Sequence, residues 1–121
     1  MDMEIQVEQA QEKTVVLRPK SDAGETIDFS EKLYEDLKKK MATLEEMSVV
    51  LDFSKTEGLD LKKILLFSSM SATKRSCGKS FVLVSQTIDV DDVPEELNVV
   101  PTVHEALDVI EMEDIERDLG I

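Results

Sequence analysis

The chain is short of almost everything that marks a secreted, metal-dependent or nucleic-acid-binding protein. It holds 1 cysteine and 1 histidine in 121 residues, so neither an intramolecular disulfide nor a cysteine- or histidine-rich metal cluster can be built from it. The lone Cys77 fits a reducing compartment, and no cofactor is expected. Lys and Arg number 14 against 27 Asp and Glu, a net charge of −13. That balance repels phosphates and excludes nucleic acid and anionic membrane surfaces as expected partners. No apolar run reaches the length of a membrane span. The opening MDMEIQVEQAQEK lacks the basic and apolar regions of a secretory signal, so the expected location is cytoplasmic.

What is present describes one small domain. At 41% hydrophobic and 34% charged the chain is too apolar for a disordered segment, and its length suits a single core. The expected division is a domain over residues 1–110 and an acidic helical tail over 111–121, packed on the same domain or on a partner. Residues 3–7 and 14–17 alternate or run apolar and predict two strands, the second ended by Pro19, with a loop over 19–26. Asp28 and Glu31 form a capping pair for a helix whose inward stripe is Phe29, Leu33, Leu37, Met41 and Leu44. SVVLDF, residues 48–53, is apolar on consecutive positions, as in a central parallel strand covered on both faces. A helix follows Asp60 and stops at Gly78. SFVLVS, residues 80–85, is the next strand. Then come a short acidic helix over 91–97, a strand over 98–100 and a capping box from Thr102 to Glu105. The last helix has the stripe Val103, Ala106, Leu107 and Ile110. The class is therefore α/β, with a mixed, mostly parallel sheet of four or five strands and about four helices.

Three motifs imitate chemistry. Gly78-Lys79-Ser80 resembles the end of a phosphate-binding loop, but the required first glycine falls at Thr73 and the tripeptide leads from helix into strand. Asp89, Asp91 and Asp92 imitate a calcium loop, yet Val93 stands where a third ligand is needed. His104 has no partner cluster, and nothing in the sequence brings Cys77 to it as a nucleophile pair.

VVLDFSKTEGLD, residues 49–60, together with the Ile27-Asp28 lead into FSEKL, KSFVLVS and VVPTVHEAL, resembles the STAS family of anti-sigma-factor antagonists. The resemblance implies the STAS fold and a regulatory function through binding a kinase or related protein. In that family a Ser or Thr just after the helix-opening aspartate is phosphorylated. Here the residues are Asp60-Leu61-Lys62-Lys63, with no hydroxyl to modify. The expectation is a non-catalytic regulatory or adaptor protein, not switched at that position. Its candidate partner-binding residues are Asp28, Asp60, Leu61, Lys62, Lys63, Phe67 and Met70. One alternative is a ligand-binding or enzymatic domain using the loops near Asp28, Asp60 and Gln86. Another is a homo-oligomeric assembly subunit, with a homodimer as its simplest form.

Two faces remain to be placed by the fold. On the helix after Asp60, Leu61, Ile64, Leu65, Ser68 and Ala72 form one side. Leu66, Phe67 and Met70 form the other, with Phe67 or Met70 expected partly exposed. Met112, Ile115 and Leu119 form a tail stripe out of step with the one ending at Ile110. This predicts a bend, a break or a second surface, docked on the domain or on a second copy.

Overall fold

The computed structural model describes residues 3–21 and 25–120; residues 22–24 of the loop expected over 19–26 and the final tail residue, Ile121, lie outside them. Strands β1 (Met3–Gln11) and β2 (Thr14–Ser21) form a hairpin, followed by β3 (Ile27–Asp28) and helix α1 (Glu31–Ala42). Next come β4 (Ser48–Asp52), β5 (Thr56–Glu57), α2 (Leu61–Ile64), a 3-10 turn (Leu65–Phe67) and α3 (Ser68–Ser76). β6 (Phe81–Val84), a second 3-10 turn (Val90–Asp92), β7 (Asn98–Val100) and α4 (Val103–Asp118) complete the chain. The main sheet has the order β1-β2-β4-β6-β7, with β1 antiparallel to β2 and every other pair parallel. β3 and β5 form a separate two-stranded ribbon. The chain is an α/β domain with a mixed sheet of five strands, as its patterning implies.

Strand alternation divides the core into two layers. Val15, Leu17, Val49, Leu51, Phe81, Leu83 and Val99 face α1 and the helix after Asp60, meeting Leu33, Leu37, Ile64 and Phe67. Val16, Val50, Val82 and Val84 face the other way and meet Ala106 and Ile110 of α4. All five residues of β4 are buried, which is why SVVLDF runs apolar instead of alternating.

Four boundaries differ from the sequence reading, each for a local reason. Pro19 does not end β2; it pairs with Ile5 inside the strand. β2 is paired with β4 only over Thr14–Leu17, so at Pro19 one strand edge is free and a missing N–H is tolerated. Asp28 does not cap α1. It lies in the ribbon opposite Glu57, and Ser30 is the cap, its hydroxyl accepting from Leu33 N at 3.1 Å. The acidic helix of 91–97 shrinks to the turn Val90–Asp92, because Pro94 forces Val93 into extended backbone (ψ 132°). The long helix after Asp60 is tightened at Leu65–Phe67. A 3-10 turn eclipses residues three apart, which brings Phe67 beneath Ile64; both are fully buried. The inward face is therefore Ile64, Phe67, Ser71 and Lys74: Ile64 and Phe67 come one from each expected side, and Ser71 and Lys74 belong to neither.

The tail inverts its expected packing. α4 runs through Ile110 as one helix to Asp118, while Met112, Ile115 and Leu119 stand 61%, 51% and 68% exposed. The contacts with the sheet are polar. The buried Ser80 hydroxyl donates to Glu113 Oε1 and accepts from Arg117 at 2.7 Å, and Asn98 donates to Glu113 Oε2 at 3.2 Å. At 100° per residue the stripe that buries Ile110 continues through Glu113 and Arg117, and a buried serine and a half-buried asparagine can pair with those side chains. Replacing Ile115 and Leu119 with Ser should change unfolding free energy by no more than about 0.5 kcal/mol. Glu113→Ala should cost about 1 kcal/mol by removing both acceptors. Urea melts of the two variants against wild type decide the order.

Candidate protein-docking surface

The start of the helix after β4 is built from side-chain caps and a ribbon. Asp60 accepts from Lys63 N at 2.9 Å and so occupies the N-cap position. The Lys63 ammonium donates to the Gly58 carbonyl and lies 5.9 Å from the centre of the Phe29 ring, so this lysine is half-buried and held in place. Gly58 has φ +75°, the left-handed conformation that glycine adopts without strain, and this turn delivers its carbonyl to Lys63. The ribbon places Asp28 beside Glu57, and Thr26 donates to Glu57 Oε1 at 3.1 Å. Tyr34 of α1 donates its hydroxyl to the Leu66 carbonyl at 3.0 Å and fixes the 3-10 turn.

The sequence candidates divide on this frame. Asp28, Asp60 and Lys62 are exposed and Leu61 is half-buried, so all four are available at one end of the domain. Phe67 is 0% exposed and is not available: it anchors the core. Met70 is half-buried on α3, further along the helix. There it lines a cavity of about 440 Å³ between α1 and α3 with Lys38, Met41, Thr73, Lys74 and Cys77. Lys63 is committed to the Gly58 carbonyl. The residues missed by sequence reasoning are Leu65 and Leu66, 42% and 48% exposed on the turn between α2 and α3. Their signal was the LLF triplet itself: when Ile64 and Phe67 both point inward, the two leucines between them must point out.

A buried ion pair also went unread. Asp52, 2% exposed at the end of β4, binds Arg18 of β2 and accepts from Ser54 N at 2.9 Å. Gln6 accepts from Arg18 at 3.4 Å, and Glu8 lies 3.8 Å away. A charged aspartate inside an otherwise apolar strand was the available signal, because a buried carboxylate needs a cation or donors. The pair is complete within the chain.

The expected helix stops hold. Gly78 (φ +72°) follows α3, its N–H bonding Arg75 O while Lys79 N bonds Lys74 O, the two bonds of a Schellman cap. Asp89 accepts from Asp91 N and caps its own 3-10 turn. Gln86 uses its amide on the Pro101 carbonyl at 3.4 Å. Neither described cavity is lined by Asp28, Asp60 or Gln86. Among the described residues no three His, Cys, Asp or Glu side chains are grouped to hold a metal, and no helix is long and apolar enough to cross a membrane. No protein-family model matches the chain, and no curated protein matches it in sequence.

Proposed function

We propose that this chain is a STAS-like regulatory or adaptor domain that acts without catalysis, by binding another protein through the ribbon and the helix start at Asp60. The reading rests on one observation above the others: Leu65 and Leu66 lie exposed and adjacent on a turn fixed by the Asp60 cap and the Tyr34 hydroxyl. Two neighbouring solvent-facing leucines on a rigid turn, beside charged Asp60 and Lys62, are the composition of an interface centre with a polar rim. The position agrees with the docking region that the family resemblance implies. Asp60-Leu61-Lys62-Lys63 carries no hydroxyl, and the nearby Thr56 hydroxyl is buried without a partner. Binding is therefore set by this surface and not by phosphorylation at the helix start. The ligand-binding alternative is less favoured, because Asp28, Asp60 and Gln86 share no described cavity.

The test is a paired co-purification from the native cell with wild type and with Leu65→Ser/Leu66→Ser. A protein recovered in stoichiometric amount with wild type should be lost from the variant, whose thermal melt is unchanged. Equal recovery with both proteins overturns the placement of the surface. Phosphate mapped to Ser54, with a change in that recovery, overturns the unswitched reading.

A further inference from the structure

We infer that the outward face of α4 is a second docking surface, and that its occupant is a basic amphipathic helix of another protein. Met112, Ile115 and Leu119 recur at three and four residues, so they fall on one line of the helix. They point away from the sheet at 61%, 51% and 68% exposure. The inner face of α4 is already held by buried Ala106 and Ile110 and, below them, by Glu113 and Arg117 on Ser80 and Asn98. The outer stripe therefore contributes little to placing the helix, yet it is the most apolar part of its surface.

Charge chooses the occupant. At 100° per residue, Glu105, Asp108 and Glu116 lie along or beside the stripe, and Glu111 and Asp118 border it. Arg117, the basic residue of this segment, turns inward to Ser80 and Asp114. A second copy laid on this face in either direction would set carboxylates against carboxylates, which disfavours a homodimer here. An anionic membrane meets the same repulsion. A helix with leucine-type residues at matching spacing and Lys or Arg on both flanks meets neither obstacle: its apolar side covers the stripe and its cations face the rim. From Met112 to Leu119 the stripe spans about 10 Å at 1.5 Å per residue, or two turns of such a helix.

The probe is a fluorescein-labelled amphipathic peptide of Leu and Lys, titrated into the full chain and read by anisotropy. Two control peptides accompany it, one with Ser for Leu and one with Glu for Lys. Ile115→Ser/Leu119→Ser removes the stripe and leaves every charge in place. The Leu/Lys peptide should bind wild type saturably, weaken at least tenfold on the double variant, and weaken with salt. The Ser/Lys peptide should bind both proteins equally and poorly, and the Leu/Glu peptide neither. Amide shifts of labelled wild type should move most within residues 108–119, a readout that does not depend on the variant folding. Equal binding of the Leu/Lys peptide to both proteins, or shifts centred elsewhere, overturns the proposal. So does a wild-type dimer in sedimentation that the double variant abolishes, which would make the occupant a second copy. Variant-sensitive binding to phosphatidylcholine vesicles would make it lipid and overturn the proposal equally.

Discussion

Phe67→Ala should be the most destabilising single change in the domain, lowering unfolding free energy by about 3–5 kcal/mol. Phe67 is fully buried, and its ring lies 5.3 to 6.4 Å from those of Tyr34, Phe53, Phe29 and Phe81. The chain has 4 phenylalanines, 1 tyrosine and no tryptophan, so its whole aromatic complement is one cluster with Phe67 at the centre. The cluster joins α1, the 3-10 turn and the ends of β4 and β6. Removing the central ring leaves a cavity with four aromatic walls on several elements, and these cannot all collapse inward together. For a domain of this size the loss corresponds to about 10–20 °C in melting temperature. Phe67→Leu, which keeps most of the volume, should cost roughly 1.5 kcal/mol or less. The neighbouring Leu66→Ala should be near neutral, because that side chain faces solvent. Equilibrium urea unfolding separates the three variants. A Phe67→Ala protein within about 1 kcal/mol of wild type would show that the cluster is loosely packed, and would return Phe67 to the list of surface candidates.

The same residue marks where sequence reasoning stopped. The apolar spacing groups Ile64 with Leu61 and Leu65, and Phe67 with Leu66 and Met70, although Ile64 and Phe67 lie only 60° apart on a regular helix. The 3-10 turn removes that difference and assigns the exposed apolar positions to Leu65 and Leu66. A sequence shows the period of a helix and not a local change in its pitch, and a pitch change is decided by what the sheet below accepts. The strands were more legible, because burial on both faces writes itself as consecutive apolar residues. Asp28 was misread for a related reason. A two-residue ribbon has no period, so the pairing of Ile27-Asp28 with Thr56-Glu57 left no trace from which a cap at Ser30 would follow.

The tail shows the opposite limit. Its apolar stripe was legible, and its spacing is helical as expected, but the inference that an apolar stripe must dock on its own domain assumed a free apolar surface beneath it. Ser80 and Asn98 occupy that place and recruit Glu113 and Arg117. The face that buries Ala106 and Ile110 thus continues as Glu113 and Arg117 on Ser80, just before β6, and Asn98 of β7, with Met112, Ile115 and Leu119 outward. The outward stripe and the Leu65-Leu66 turn are on different elements.

Lys74→Met should cost about 2 kcal/mol near neutral pH, and the deficit should grow as the solution is made alkaline. Lys74 is 5% exposed on α3, and its ammonium donates to the Leu44 carbonyl and to the Met47 carbonyl, the latter at 2.7 Å. These bonds tie α3 to the loop between α1 and β4. Methionine fills much of the same volume but removes both bonds, at about 1 kcal/mol each, leaving the Leu44 carbonyl with Met47 N as its donor. Burial pushes the Lys74 amine below its usual value of 10.5, opposed by Cys77 and Glu45 and assisted by Lys79. Between that lowered value and 10.5 the unfolded chain still holds a proton that the folded chain has released. Unfolding then takes up a proton, so the contribution of Lys74 to stability rises with pH through that window and is level below it. Methionine has no proton to release and should lack the rise. Urea unfolding of both proteins from neutral pH upward measures that difference directly. A gap that stays constant or narrows on approach to pH 10.5 would mean that the folded protein does not disfavour the charged amine. Equal stability near neutral pH would mean that the two carbonyl bonds add nothing beyond what water supplies in their absence.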